Sequence, residues 1–306
     1  MNVTICALTY QRPDGLARLL QGLSALTFRA TPPDLRIVIV DNDPAASARE
    51  TCQRFSATLP WPLHYVVEPN RGIAFARNTA LDQAAGADWI CFLDDDEIPD
   101  PHWLDELFRV QRTYDADVVG GPVLPHFPQP VPPWIVAGRF FNRRRHPTGQ
   151  SLTHVFTNNV LFRGRILTDL SLRFNERWAL MGCEDRAFFQ TIGMAGYRIV
   201  WADEATVVEW VPTSRANARW LVQRYYRVGN STSFVELDLR PQWKTRPVLL
   251  AKSAVWFLIG IGLTIAGLLR GTATRVRGRQ AGAYAAGLLS GLLGKPYEEY
   301  RTPHQV

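Results

Sequence analysis

The chain has 306 residues, of which 46% are hydrophobic and 20% are charged, and its net charge is +6. This composition excludes a disordered chain and is sufficient for a substantial buried core. The four cysteines, Cys6, Cys52, Cys91 and Cys183, are widely spaced and form no Cys-x-x-Cys pair. Cys6 and Cys91 lie in strand-like apolar runs, so we expect buried thiols in a reducing compartment and no disulfide framework. The N-terminus starts in a strand-like run with no signal-peptide pattern, which favours the cytoplasm.

Charge is distributed unevenly along the chain. Residues 1–210 carry 20 Lys and Arg against 24 Asp and Glu, whereas residues 211–306 carry 14 against 4. A mildly acidic body is thus followed by a basic tail. Such a tail favours an anionic partner, and nucleic acid and anionic lipid headgroups are both candidates.

Apolar runs and helical spacings alternate through the first third of the sequence. Strands are predicted at 3–8, 35–40, 64–67 and 89–93, and helices at 15–26, at 46–59 and from 72 to about 85. Polar loops follow the strands. This alternation predicts an α/β fold with a doubly wound, mostly parallel sheet.

The pattern changes from residue 118 onward. Gly120, Gly121 and six prolines between 122 and 133 predict an irregular crossover, because neither residue type favours a helix interior or a central strand. Further strands are predicted at 158–162, 199–201 and 206–208, and helices from 182 and at 215–228.

The C-terminal region contains two apolar stretches. Residues 248–269 match the ~20 residues that a bilayer span needs, and Lys252 is the one charged residue among them. The second stretch, 281–293, is too short for an untilted span. The sequence predicts a helical, membrane-associating extension over 231–306, which could span the bilayer or lie on it. A buried helical hairpin packed on domain 1–230 is the alternative.

Three consecutive aspartates, Asp94, Asp95 and Asp96, directly follow the predicted strand at 89–93. In open α/β sheets, ligands bind at the carboxyl ends of the strands. Adjacent like charges repel one another, so they are useful mainly where a hard cation such as Mg²⁺ or Mn²⁺ takes oxygen ligands. The alternative is an acidic turn that caps the following helix.

Six motifs occur in order along the chain. They are Thr9-Tyr10-x-Arg12, Asp41-Asn42-Asp43, Asn70-Arg71-Gly72-x-x-x-Ala76-Arg77-Asn78, Asp94-Asp95-Asp96, Gly182-Cys183-Glu184-Asp185 and Gln223-Arg224-Tyr225-Tyr226-Arg227. With this series the chain resembles family 2 glycosyltransferases of the GT-A fold, and in particular bacterial enzymes of succinoglycan-type exopolysaccharide synthesis. The resemblance covers about residues 1–230.

The resemblance implies a role for each matching residue. A nucleotide-sugar donor, expected to be a UDP-sugar, would be bound by Thr9, Arg12, Asp41, Asp43, Arg77, Asp94 and Asp95. Asp96 would be the direct ligand of Mg²⁺ or Mn²⁺. Asp185 would be the catalytic base, with Glu184 orienting the acceptor or its loop. Gln223, Arg224 and Arg227 would contact the diphosphate of the donor or of a lipid acceptor. Processive relatives carry the motif Gln-x-x-Arg-Trp at this place. No Trp follows Arg227 in this chain, so processive polymerisation is not expected.

The expected function is a metal-dependent, inverting sugar transfer at the cytoplasmic face of the inner membrane. The acceptor would be a glycan carried on polyprenyl diphosphate, and the basic tail would contact the anionic membrane surface. Nucleic acid is not an expected partner, because a carboxylate-lined cleft repels polyanions. One alternative is a nucleotidyltransferase, which would need a Gly-rich phosphate loop after the first strand. Another is a non-catalytic protein that binds lipid or nucleic acid through the tail.

Overall fold

The structure is a computed structural model that describes residues 1–301. The strands are β1 (Asn2–Thr9), β2 (Asp34–Asp41), β3 (Leu63–Val67), β4 (Trp89–Asp94), β5 (Glu97–Pro99), β6 (Val118–Gly120), β7 (Val123–His126), β8 (Val160–Arg163), β9 (Ile199–Trp201) and β10 (Val207–Trp210). The α-helices are α1 (Pro13–Ser24), α2 (Arg49–Ser56), α3 (Ile73–Gln83), α4 (Trp103–Tyr114), α5 (Pro133–Ala137), α6 (Arg165–Asp169), α7 (Glu184–Met194), α8 (Ala218–Leu239), α9 (Gln242–Arg270) and α10 (Thr272–Leu292).

The chain divides into two compact units. The first comprises residues 1–126, 143–180 and 184–210, and the second comprises residues 127–142, 181–183 and the described residues from 211 onward. The first unit contains all ten strands named above, and the second contains α5 and α8 to α10. The domain boundary predicted at residue 230 lies inside α8, which belongs wholly to the second unit.

The main sheet of the first unit has seven strands in the order β3-β2-β1-β4-β8-β6-β9. Its first four strands are parallel, β8 is antiparallel to both of its neighbours, and β6 and β9 are parallel. Val3, Ile5 and Ala7 of β1 join one apolar cluster, whereas Cys6 joins the other. Both faces are therefore buried, which explains why the strand is a continuous apolar run. The predicted α/β class with a mostly parallel sheet is confirmed.

The region predicted to be irregular contains two strands. Gly120 lies in β6, inside the main sheet between β8 and β9, so the expectation that it could not belong to a central strand is wrong. A Cβ atom on Gly120 would lie 2.6 Å from Cγ1 of Val155, so the glycine makes room for a close neighbour. Pro125 lies in β7, an edge strand of a second sheet, where a missing N–H is tolerated.

The second sheet has three strands in the order β5-β10-β7. Strand β5 begins at Glu97, directly after the three aspartates, and pairs in antiparallel fashion with β10. The turn Asp95–Asp96 is thereby held between a strand of the main sheet and a strand of the small sheet. The sequence pattern did not predict β5, because a strand of three residues is too short to show a period.

The second unit is built mainly from three long helices. Helix α10 packs against both α8 and α9. Asn217 begins α8, since its side chain accepts a hydrogen bond from the N–H of Trp220. Among residues 1–301, α9 is the one helix that is long and apolar enough to cross a membrane, and 17% of its most apolar window is buried.

Candidate active site

The three aspartates lie at the carboxyl edge of the main sheet. Strand β4 ends at Asp94, and Asp94 pairs in register with Leu8 of β1. Asp94 is half-buried and Asp95 is buried, and the backbone N–H of Asp94 donates a hydrogen bond to Oε2 of Glu97. The carboxylates are therefore fixed by the ends of two adjacent buried strands, as the apolar run before them predicted.

Two residues of the first motif hold the middle aspartate. Oγ1 of Thr9 donates a hydrogen bond of 2.8 Å to Asp95, and Nη1 of Arg12 donates one of 3.1 Å to the same carboxylate. The same Arg12 nitrogen lies 3.6 Å from Oδ2 of Asp96. Arg12 thus neutralises part of the charge on two neighbouring aspartates, which explains how the folded chain accommodates them side by side.

The second motif is involved mainly in shaping its own loop. Asp41 is fully buried, and its carboxylate accepts hydrogen bonds from the N–H groups of Asp43 and Ala48 and from the hydroxyl of Tyr65. Burial and the Asp41 carboxylate raise the pKa of Tyr65. Asp43 is buried at the start of the loop and accepts a hydrogen bond from the N–H of Ala45. Donor contacts of Asp41 and Asp43 stay predictions.

Asn42 joins the second motif to the third. Its side-chain amide donates hydrogen bonds to the carbonyl oxygens of Glu68 and Asn70, and its Oδ1 accepts one from the N–H of Gly72. Gly72 has a φ of +143°, and a Cβ atom there would lie 2.6 Å from Cβ of Ala179. Glycine is thus required where the loop enters α3, which carries Arg77.

Arg77 forms an ion pair with Glu184. The side chain of Arg77 is 5% exposed and that of Glu184 is 0% exposed, so the pair is shielded from water. Burial raises the pKa of Asp94, and the positive charge of Arg77 opposes that rise. Arg77 therefore links the aspartates after β4 to the start of α7. Its predicted contact with the donor stays a prediction, because its guanidinium is paired here with a carboxylate of the protein.

Helix α7 begins with the second pair of predicted acids. Glu184 is buried, whereas Asp185 is half-buried and accepts a hydrogen bond of 2.6 Å from the N–H of Arg186. Acidic residues in the first turn of a helix interact favourably with its dipole. The two neighbours thus differ in environment: Glu184 is paired in the interior, and Asp185 remains accessible to a substrate.

Burial and mutual repulsion raise the pKa of several of these acids. Burial, with Arg77 acting in the opposite direction, brings the pKa of Asp94 to about 7 and that of Glu184 to about 7. Burial also raises the pKa of Asp95, although Arg12 opposes it, and raises that of Glu97 well above its usual range. Each of these carboxyl groups is therefore costly to ionise at its buried position unless a positive charge lies beside it.

Sequence reasoning missed three charged residues beside these acids. Glu97 lies opposite Glu209 in the pairing of β5 with β10, and Nη2 of Arg143 donates a hydrogen bond of 3.0 Å to Glu209. Burial raises the pKa of Asp94 and of Glu97, and the charge of Arg143 opposes the rise in both. Glu97 could have been found because it directly follows the aspartates. Arg143 comes from a region without a recognisable motif.

The last predicted motif lies on α8 in the second unit. There Arg227 forms an ion pair of 2.7 Å with Glu299, Gln223 donates a hydrogen bond to the hydroxyl of Tyr297, and Arg224 lies over the ring of Trp220. The first two of these contacts join α8 to the C-terminal segment of the described chain. The predicted diphosphate contacts of Gln223, Arg224 and Arg227 stay predictions.

Within residues 1–301 no group of three or more His, Cys, Asp or Glu side chains has an arrangement that could hold a metal ion on its own. Oε1 of Glu97 is buried, however, and finds no hydrogen-bond partner in that part of the chain. An orphaned carboxylate oxygen among acids of raised pKa fits a divalent cation held by one or two protein carboxylates together with substrate phosphates. The side chain of Asp96, the predicted ligand, is 11% exposed.

Known proteins support one family. The glycosyl transferase family 2 model matches residues 4–170, and the glycosyl transferase family group 2 model matches residues 89–293. The succinoglycan biosynthesis protein ExoM of Rhizobium meliloti (strain 1021) is 34% identical over 307 aligned residues, which cover 98% of this chain and 96% of ExoM.

Two solved structures have a similar fold. The mannosyltransferase PcManGT from Pyrobaculum calidifontis, in complex with GDP-Man and Mn²⁺, has a TM-score of 0.65 at 19% identity and covers 96% of this chain and 88% of its own. S. aureus TarS 1–349 in complex with UDP has a TM-score of 0.55 at 16% identity, covering 96% and 92%. These likenesses confirm the GT-A fold. The family matches and the identity to ExoM confirm that the chain belongs to glycosyltransferase family 2 and is a glycosyltransferase.

Proposed function

We propose that this chain transfers one sugar, with inversion, from a nucleotide diphosphate donor to a hydroxyl of a glycan carried on polyprenyl diphosphate, in the synthesis of a surface polysaccharide. The observation that carries the proposal is the acid cluster at the carboxyl edge of the main sheet. There Arg77 is ion-paired with Glu184 and acts electrostatically on Asp94. The carboxylates after β4 and those at the start of α7 thus belong to one site.

Asp185 is the proposed base. As the acceptor hydroxyl oxygen forms its bond to the anomeric carbon, its proton passes to the Asp185 carboxylate. The bond from the anomeric carbon to the phosphate oxygen breaks, and the nucleoside diphosphate leaves with that electron pair. Attack from the face opposite the leaving group inverts the anomeric centre. The half-buried position of Asp185, beside the buried Glu184, supports this division of roles.

Asp94, Asp95, Thr9 and Arg12 form the proposed donor side, with Asp41 and Asp43 shaping the nucleotide loop. Thr9 and Arg12 orient Asp95 through direct hydrogen bonds. Asp96 is the residue that would hold Mg²⁺ or Mn²⁺, and the bound ion would supply Lewis-acid neutralisation of the departing diphosphate. The Mn²⁺ in the PcManGT complex and the orphaned Glu97 oxygen support divalent metal use.

Donor and acceptor are proposed by class. The similar structures are complexes with UDP, UDP-GlcNAc and GDP-Man, so the donor class is a nucleoside diphosphate sugar, with a UDP-sugar as the first choice. Similarity to ExoM, a succinoglycan biosynthesis protein, supports a lipid-linked glycan of exopolysaccharide synthesis as acceptor. The site would then work at the cytoplasmic face of the inner membrane, where the basic tail favours anionic lipid and not nucleic acid.

The test is release of nucleoside diphosphate from a panel of nucleotide sugars with Mn²⁺ or Mg²⁺ and again with EDTA. We expect release from one donor that requires metal. The Asp96→Asn variant should lose the metal-dependent increase in donor affinity, which a binding titration measures without turnover. An Asp115→Asn variant serves as the control, since the Asp115 side chain is 89% exposed. Equal affinity of both variants for donor and metal would contradict the assignment of Asp96.

A further inference from the structure

Helix α9 exposes a continuous apolar face. Ten of its large apolar side chains are between 42% and 94% exposed, namely Val248, Leu250, Val255, Phe257, Leu258, Ile259, Ile261, Ile265, Leu268 and Leu269. Soluble proteins rarely expose apolar patches of this extent unless something covers them. The opposite face carries the buried residues, including Leu249, Ser253 and Gly260, and packs on α10.

The contact between α9 and α10 uses small residues. A Cβ atom on Gly260 would lie 2.8 Å from the backbone nitrogen of Gly282, and one on Gly267 would lie 2.5 Å from that of Arg275. Oγ of Ser253 donates a hydrogen bond to the carbonyl oxygen of Ala285. Backbones that approach so closely through Gly and Ser are typical of helices that pack in lipid. The partner positions increase along α10 as they decrease along α9, so the helices are antiparallel.

Basic side chains of α10 lie beside the most apolar part of α9. Arg275 packs at Gly267, and Arg279 lines a groove of ≈ 300 Å³ together with Phe257, Ile261 and Ile265 of α9. If α9 crossed a bilayer with α10 attached, these arginines would lie at the depth of the hydrocarbon. A charged side chain at that depth is costly.

The other side of α10 packs on α5 and α8. Arg277 donates a hydrogen bond of 2.8 Å to the carbonyl oxygen of Gly138, and Val276 joins an apolar cluster with Ile135 and Phe141. Helix α8 packs on α10 as well: a Cβ atom on Gly287 would lie 2.1 Å from the carbonyl oxygen of Tyr226. A spanning α9 would therefore draw α8, which carries Arg224 and Arg227, towards the membrane together with α10.

Basic residues also lie at the edge and the ends of the apolar face. Lys252 and Arg270 are separated by 18 residues, five full helical turns, so they lie on the same edge. Trp243, Lys244 and Arg246 are exposed in the first turns of α9. An apolar face with basic edges and an exposed Trp is the pattern of a helix that lies in the interface of an anionic membrane.

We propose that α9 lies in the plane of one leaflet of an anionic bilayer, with its face from Val248 to Leu269 in the headgroup–acyl boundary, and does not cross the membrane. This inference rests on the membrane association that is part of the proposed function, and it adds the orientation of α9 relative to the bilayer. The groove between α9 and α10 would accept part of an acyl chain, and Arg279 at the groove would meet a lipid phosphate.

The test uses depth-dependent quenching with the full chain. The four native cysteines are buried, so a fluorophore can be attached selectively to a cysteine introduced at Leu250, Leu258 or Leu268. Vesicles of phosphatidylethanolamine and phosphatidylglycerol carry a quencher either near the headgroup or at the end of the acyl chain. A label at exposed Gln53 on α2 is the control and should not be quenched.

An in-plane helix predicts that all three labels are quenched more by the shallow quencher. A spanning helix predicts that Leu258 alone responds more to the deep quencher, and this result would overturn the proposal. Absence of quenching at all three positions would overturn it too, and a doubled molecular mass would then identify a second copy as the occupant of the face.

A charge variant gives an independent check. Leu258→Asp, on a side chain that is 67% exposed, should retain the thermal stability of the protein and lose most vesicle binding. Lys252→Glu and Arg270→Glu should each weaken binding to anionic vesicles by about fivefold or more. Donor hydrolysis is measured without vesicles. A protein that shows the expected quenching but hydrolyses no donor would contradict only the proposed function. A protein that hydrolyses donor but shows a different quenching pattern would contradict only the in-plane geometry.

Discussion

The two units of this protein distribute polar and apolar groups in opposite ways. In the first unit, charged side chains such as Arg77 and Glu184 lie in the interior and most large apolar residues are covered. In the second, glycines occupy the helix contacts, while Leu258 and Leu269 of α9 are 67% and 94% exposed. Neither arrangement favours folding in water on its own. The first is understandable as a site for a charged substrate, and the second as a surface for lipid.

The largest change is expected in the first unit, in the activity that depends on Asp185. Asp185→Asn removes the proposed base and should reduce kcat of sugar transfer by about 10²–10⁴-fold. The unfolding midpoint should change little, because the Asp185 carboxylate accepts a hydrogen bond from a backbone N–H, which an amide oxygen can also accept. Activity is measured at saturating donor. Asp115→Asn, a change of an exposed acid, should retain activity within about twofold. Full activity of Asp185→Asn would exclude the residue as the base.

The second effect is on stability and concerns the buried ion pair. Arg77→Met leaves Glu184 without its partner in the interior and should lower the free energy of unfolding by about 3–5 kcal/mol above neutral pH. Urea unfolding measures the change. The matched control is Arg173→Met, which breaks an ion pair with Asp82 whose side chains are 51% and 56% exposed, and it should cost less than about 1 kcal/mol.

A double variant distinguishes the cost of an uncompensated charge from a loss of packing. Arg77→Met combined with Glu184→Met replaces both charges by apolar groups and should recover much of the lost stability, although it should not recover activity. If the single and double variants were equally unstable, the loss would come from packing and not from an uncompensated charge.

The third change concerns the close glycine contact between two helices of the second unit. Gly287→Ala places a Cβ atom 2.1 Å from the carbonyl oxygen of Tyr226, so α8 and α10 must separate. We expect a loss of about 1–3 kcal/mol in stability. The control is Gly262→Ala on α9, where the added Cβ atom meets nothing within 4 Å. That variant should be stabilised by about 0.5–1 kcal/mol, because alanine favours a helix. Equal effects of the two changes would mean that the close helix contact is absent.

The sequence predicted the parts of the site that depend on local pattern. An apolar run ending in three aspartates predicted both β4 and the carboxyl-edge position of Asp94 to Asp96, because strand and loop are contiguous. The ordered motifs predicted the family. Cys6 and Cys91 were expected to be buried thiols because they lie in predicted strands, and both are buried.

The parts that were missed depend on contacts between distant residues. Arg77 and Glu184 are 107 residues apart, and Arg143 and Glu209 are 66 apart, so no periodicity connects them. Gly120 was excluded from a central strand on propensity, yet the close approach of Val155 makes glycine suitable there. Tertiary contacts in this case outweighed the preference of the single residue.

The smallest expected effect concerns the pH dependence of stability. Burial raises the pKa of Glu184 to about 7, with Arg77 acting in the opposite direction and Asp185 in the same one. An unfolded glutamate loses its proton near pH 4.3, at about the usual glutamate pKa. Between these values the folded protein holds a proton that the unfolded chain has lost. Stability contributed by this group should therefore fall as pH rises through the window and stay constant above it.

Glu184→Gln removes this titration without a large change of shape. Urea unfolding of both proteins across pH about 5–8 should give a steeper decline for the natural chain than for the variant. Because Gln190 on the same helix is buried and uncharged, Gln190→Glu provides the reciprocal change and should add a decline of the same sign. Parallel stability profiles of the natural chain and Glu184→Gln between pH about 5 and 8 would show that Arg77 holds Glu184 ionised throughout that range. The interior charge would then be a permanent ion pair and not a proton-binding site.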